Sequence, residues 1–137
     1  MPYWQLYYHL VWATRNREPL ITADLEPKLY AYLRGKGVAL DGIVHAVGGV
    51  ADHVHVAISI PPRIALAEFI GQLKGSSSHW VNHVAGYPGR FGWQEGYGVF
   101  SFSKRGLASV VRYVLEQRQR HEKGKLLLAL ERIEVGE

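Results

Sequence analysis

Two histidines one residue apart, His53 and His55, open the run DHVHVAISI. The two-residue period of a β-strand puts His53, His55, Ala57 and Ser59 on one face and Val54, Val56, Ile58 and Ile60 on the other. Neutral imidazole nitrogens on one face can share a divalent ion, although the same pattern also describes two half-exposed histidines. Near the C-terminus, VVRYVLEQRQRH sets Tyr113 and Gln117 four residues apart, which on a continuous helix is one turn along one face. A phenol there can serve as a nucleophile, or, spaced as it is from Val110 and Val114, as a core residue with its hydroxyl at the rim. The same helix carries Arg112, Arg118, Arg120 and His121, and Lys104 and Arg105 fall in its first turn, where the helix dipole disfavours cations. A bound phosphate would relieve that conflict. Lys74, Ser76 and Ser77, in KGSSS, offer a cation and small hydroxyls either to a nucleic-acid backbone or to close helix packing. Trp93 and Tyr97, in the Gly-rich GRFGWQEGYG, can stack on unpaired bases or plug a core. Asp52 should face away from His53, in a turn or a supporting role.

Positioning these groups requires a sheet and two or three helices. Aromatic and branched residues from Tyr3 to Ala13 predict a first strand. Thr22 is a candidate N-cap for a helix with Leu25, Leu29, Tyr32 and Leu33 on its apolar face, stopping at Gly35 or Gly37. Val38–Val50, with turn glycines Gly48 and Gly49, and Asp52–Ile60 read as a hairpin. Pro61 and Pro62 end it, and Leu66, Phe69, Ile70, Leu73, Trp80, Val81 and Val84 mark a second helix. After a Gly-rich, irregular connection from Ala85 to Gly98, Val99–Phe102 is a short strand and about Ser103 to His121 a third helix. The order βαββαβα predicts an α+β, ferredoxin-like (RRM-like) domain: an antiparallel sheet with helices on one face and a C-terminal tyrosine-bearing helix. Branched residues belong on the helix-covered side, so the histidines should point to the open one. The tail from Lys123 has no clear period and is left unassigned.

A chain of 137 residues, 47% hydrophobic, suits one domain spanning residues 1–137. The absence of cysteine excludes disulfide frameworks, zinc ribbons and thiol nucleophiles. No apolar run approaches the roughly 20 residues of a membrane-spanning helix, and no signal-peptide pattern opens the chain, so no membrane partner and a cytoplasmic location are expected. A net charge of +4 leans toward an anionic partner.

Five blocks together carry a resemblance that no single motif does: YHLVWATRNREPLI, GGVADHVHVAISIPP, LKGSSSHWVN, FGWQEGYGVFSFS and VVRYVLEQRQRH. In their order and spacing they resemble the small insertion-sequence and REP-associated tyrosine transposases of the HUH superfamily. The resemblance covers nearly the whole chain. It implies His53 and His55 as metal ligands, Gln117 as a third ligand, Tyr113 as nucleophile, and Mg2+ or Mn2+ as cofactor. It further implies a homodimer with active sites shared between subunits, acting on single-stranded DNA at hairpin-forming, imperfectly palindromic element ends. The cations and hydroxyls that would then contact DNA are Lys74, Ser76, Ser77, Lys104, Arg105, Arg112 and Arg118.

Such a site would cut and rejoin single strands by transesterification, leaving a 5′-phosphotyrosine and a free 3′-hydroxyl, with no nucleotide cofactor. Alternatives are a ferredoxin-like RNA- or DNA-binding module without catalysis, which would stack bases on strand aromatics where this chain has histidines, and a domesticated HUH nuclease. Length and flanking blocks disfavour a replication initiator or relaxase. A two-histidine-motif phosphoesterase would need a second HxT or HxS motif, and none is present.

Overall fold

Tyr7–Ala13 (β1) and His53–Ser59 (β3) become the central strands of a four-stranded antiparallel sheet, with Ile43–Val50 (β2) and Gly98–Phe102 (β4) at its edges, in the order β2-β3-β1-β4. The computed structural model describes residues 2–134. Val11 stands opposite His55 and Ala13 opposite His53 across the central pair. Leu25–Ala39 (α1) and Leu66–His83 (α2) cover one face. There Leu10, Trp12, Val54, Val56 and Ile58 pack against Leu29, Leu33, Phe69, Ile70 and Leu73, all essentially removed from water. Each such side chain contributes about 1.5–3 kcal/mol of transfer free energy, so this layer supplies most of the driving force for folding. This is the ferredoxin-like α+β arrangement that the element order predicts.

Boundaries differ where glycine has a purpose other than punctuation. The first helix does not stop at Gly35 or Gly37 but runs to Ala39. A Cβ on Gly37 would lie 2.8 Å from Val44 Cγ2, so this glycine lets helix and sheet approach closely. The chain reverses at Asp41, with φ of 68°, and β2 begins only at Ile43, not Val38. Gly48 and Gly49 are likewise not the hairpin turn: both lie inside β2, and Ala51 and Asp52 make the turn. Thr22 performs its capping role, Oγ1 accepting from the Leu25 backbone N–H at 3.2 Å, although the regular helix starts at Leu25. β1 starts at Tyr7, four residues after Tyr3.

The expectation of an open second face is overturned. Leu107–Leu115 (α3), Gln117–Lys123 (α4) and Leu128–Glu131 (α5) lie over it. Val110 and Val114 pack on Ala46 and Ala57, and Ile133 on Val11 and Ala13. Two glycines permit this. A Cβ on Gly48 would sit 2.0 Å from the Val114 carbonyl oxygen, and one on Gly98 would sit 1.9 Å from that of Arg132. The single helix expected from Ser103 to His121 is instead a short 3-10 turn, Lys104–Gly106, followed by α3 and α4. α3 and α4 meet at Glu116, whose backbone (φ −97°, ψ 17°) leaves helical geometry. Among the described residues no helix is long and apolar enough to cross a membrane.

Candidate metal and tyrosine centre

The β3 period delivers His53 and His55 to the same face, as expected, but the added helices bury them to 2% and 0% exposure. A buried imidazole needs partners for both nitrogens, and here only Nδ1 has one. His53 Nδ1 lies 2.7 Å from Asp52 Oδ1, and His55 Nδ1 lies 2.8 Å from Nε2 of His9 on β1. Asp52 therefore does not face away from His53: from the turn at Ala51 and Asp52 its carboxylate reaches back to the ring's Nδ1. Both Nε2 atoms are buried and make no hydrogen bond among the described residues. They converge on Glu131 Oε1 at 3.2 Å and 3.3 Å, without the alignment of hydrogen bonds.

Two unclaimed imidazole nitrogens and a carboxylate oxygen, mutually within 4.8 Å, form a donor set suited to a divalent cation. Such ions accept neutral nitrogen and anionic oxygen together, and binding would satisfy the orphaned Nε2 atoms. Glu131, at the end of α5, came from the part of the tail whose sequence shows no period. Its only sequence-level signal is a lone acid among LLLALERI.

Electrostatics follow the contacts. Burial works against charge on His53, but the carboxylates of Asp52 and Glu131 outweigh it and raise its pKa. For His55 burial dominates and lowers it. Burial alone would raise Glu131, yet the close imidazoles of His53 and His55 hold its carboxyl far below the usual carboxylate range.

Tyr113, on α3, is fully buried, and its ring lies 5.8 Å from that of His55 in the same chain. Its hydroxyl donates to Glu131 Oε2 and accepts from the Leu127 backbone N–H at 3.0 Å. Burial, then the Glu131 hydrogen bond, push its pKa up to about 12. Arg120 lies over the ring, 4.8 Å from its centroid. Gln117 is buried beside the cluster, but its amide is otherwise engaged: Nε2 donates to the Tyr113 carbonyl at 3.0 Å and Oε1 lies 3.1 Å from His121 Nε2. The structure thus brings His53, His55 and Tyr113 together with Glu131, while the Gln117 side chain bridges the break between α3 and α4.

The residues expected to touch DNA are scattered. Lys74 Nζ donates to the carbonyls of Gln94 and Gly96, both at 2.8 Å, holding the Gly-rich loop. Ser76 and Ser77 return hydrogen bonds to their own helix, and buried Ser77 also accepts from Trp93 Nε1 at 2.9 Å. Trp93 packs edge-on against Trp12 and Phe91, and Tyr97 against the core. Arg118 is exposed and paired with Glu26 at 2.6 Å. Lys104, Arg105 and Arg112 are exposed and carry no ion pair among the described residues.

Against known proteins, residues 2–117 match the family described as "Transposase IS200 like". The ISDra2 transposase TnpA of Deinococcus radiodurans is 26% identical over 124 residues, covering 85% of this chain and 87% of that one. The transposase for insertion sequence element IS200 of Salmonella typhimurium is 27% identical over 129 residues, 90% of this chain and 84% of that one. A REP-associated tyrosine transposase solved with a REP hairpin superimposes with a TM-score of 0.64 at 12% identity, covering 92% of this chain and 76% of that one. At that identity the likeness speaks for the fold.

Proposed function

The chain belongs to the IS200-like transposases, and from that premise we propose that it cuts and rejoins single-stranded, hairpin-forming DNA through a covalent bond to Tyr113. The observation that carries this reading is the contact between Tyr113 and the His53–His55–Glu131 cluster within one chain. His53, His55 and Glu131 would hold Mg2+ or Mn2+, which when bound supplies Lewis-acid polarisation of a phosphodiester oxygen. The Tyr113 oxygen attacks phosphorus, a tyrosine–phosphate ester forms, and the bond to the 3′-oxygen breaks, that oxygen leaving as a hydroxyl once protonated. Glu131 Oε2 already accepts the phenol's hydrogen bond and stands where that proton can be taken up and passed on. With the phenol pushed up to about 12 and the carboxyl far below its usual range, proton transfer is uphill at rest and must accompany P–O bond formation. Attack on the new ester by another 3′-hydroxyl exchanges like bonds and joins strands.

Family resemblance implies sites shared between two subunits. The spacing of Tyr113 and His55 in one chain supports sites completed within a single subunit, whether or not the protein pairs. Lys104 and Arg105, just before the tyrosine helix, and Arg112, in its last turn, are exposed cations with no ion pair among the described residues, and we assign them to the DNA backbone. A non-catalytic, base-stacking module finds little support, because the sheet face it would use lies under α3, α4 and α5.

Incubation with Mn2+ and an end-labelled single-stranded hairpin, followed by denaturation, should yield a protein–DNA adduct that peptide mass spectrometry places on Tyr113. Tyr113→Phe should fold and bind metal but form none. An adduct on another tyrosine, or cleavage persisting in Tyr113→Phe, overturns the assignment. Mixing His53→Ala/His55→Ala protein with Tyr113→Phe protein should restore no activity if each site is built within one chain, and restored activity would show shared sites.

A further inference from the structure

His9 is a fully buried polar residue that the reaction outlined above does not use. It lies on β1 two residues from Val11, the register partner of His55, so its ring reaches His55 diagonally, with centroids 4.9 Å apart. The 2.8 Å contact between His9 Nε2 and His55 Nδ1 can hold only one proton, which leaves two arrangements. If His9 donates, the proton of neutral His55 sits on Nε2, aimed at Glu131 Oε1, and that nitrogen cannot bind a cation. If His55 donates, its Nε2 lone pair is bare and faces a carboxylate oxygen at 3.3 Å, an arrangement a cation between them makes favourable.

We propose that His9 is a positioning residue for the metal centre: it accepts the Nδ1–H of His55 and so fixes the tautomer whose Nε2 binds the divalent cation. This rests on the metal reading of His53, His55 and Glu131. Asp52 does the same for His53, its Oδ1 accepting Nδ1–H at 2.7 Å. Each histidine of the pair thus has Nδ1 claimed by a neighbour and Nε2 free. No other task is visible for His9. Its Nδ1 has no hydrogen-bond partner among the described residues, and its remaining ring contacts are Phe100 and Tyr113. In the metal-binding tautomer its own proton sits on that unpartnered Nδ1, so His55 has weaker support than carboxylate-backed His53.

The test is calorimetric titration of Mn2+ into the full chain and its variants. His9→Leu should bind roughly 10–100-fold more weakly while staying folded, the usual effect of losing a ligand's supporting hydrogen bond. His9→Gln, whose amide oxygen can occupy the place of Nε2, should recover most of the affinity. Wild-type affinity in folded His9→Leu, with binding lost in His53→Ala, overturns the role of His9 and leaves the metal reading intact. Binding that survives in His53→Ala defeats the metal reading itself. If His9→Leu does not fold, nitrogen NMR of the wild-type protein with histidine labelled and Zn2+ bound decides: a proton on His55 Nδ1 is expected, and one on Nε2 overturns the proposal.

Discussion

The two faces of β3 are equally dry and opposite in chemistry. Val54, Val56 and Ile58 meet α1 and α2 through apolar contact alone, and their burial drives folding. His53, His55 and Ser59 are buried just as deeply, and there each polar atom must be placed. Nδ1 of each histidine and the hydroxyl of Ser59, 2.9 Å from His45 Nε2, have partners, whereas Nε2 of His53 and of His55 do not. An apolar layer tolerates approximate fit, but a buried polar layer leaves a conspicuous remainder when one component is missing. Here that remainder points toward Glu131 and Tyr113.

The comparison breaks first on stability. Ile58→Ala should cost about 2–5 kcal/mol, the range for removing a fully buried branched side chain, while Mn2+ affinity measured on the folded fraction stays at the wild-type value. Chemical denaturation and calorimetry together check this. Loss of affinity comparable to that of His55→Ala would show that the two faces cannot be separated.

A smaller effect should fall on the polar face alone. Gly48→Ala places a Cβ against the Val114 carbonyl, and relieving that clash requires α3 to lift from β2 at a cost of about 1–3 kcal/mol. Tyr113 is the neighbouring residue, so adduct yield should fall further than Mn2+ affinity. Equal loss of both, or loss of neither, would argue that Gly48 does not set the tyrosine's position.

The faces also differ in how legible they were. The strand period assigned Val54, Val56 and Ile58 to a helix-covered side correctly, because α1 and α2 announce themselves by apolar spacing. The same period puts His53 and His55 together on the other face, and helical spacing puts Tyr113 on a helix, while residue type and family likeness single out all three as functional. That their face is covered was missed, because the signals were glycines. Gly48 read as a turn residue and Gly98 as the end of a loop, whereas both are places where another backbone must come close. Glu131 was missed because α5 is four residues long, too short to show a period. The break at Glu116 was missed because no proline or glycine marks it, and it alters the geometry of Tyr113 and Gln117 that spacing on a single helix suggested.

The finest distinction between the faces is in pH dependence, since only one of them titrates. In the metal-free protein, His9 is lowered to about 3 by burial and then by His55, and His55, His121 and His45 are lowered mainly by burial. Below the ordinary histidine value of about 6.5 the unfolded chain binds protons that these folded residues resist, so stability falls as pH drops from there. Glu131 adds to the loss further down: its contribution is present above the usual carboxylate value and disappears as pH falls through its depressed one. His53 runs the other way. Burial opposes its charge, but Asp52 and Glu131 raise its pKa, so its contribution is full below about 6.5 and is lost as pH rises through the raised value. Metal-free stability should therefore peak near neutrality and decline on both sides, more steeply toward acid, where four lowered histidines and the lowered carboxyls of Glu131 and of Asp52, the latter held down by its hydrogen bond with His53, act against one raised histidine. Ile58→Ala changes no titrating group, so its curve should lie below the wild-type curve and run parallel to it. Urea denaturation at pH 5, 6, 7 and 8 is sufficient: a flat wild-type profile would contradict the assignments on the histidine face, and a changed shape in Ile58→Ala would show that the two faces of the strand communicate.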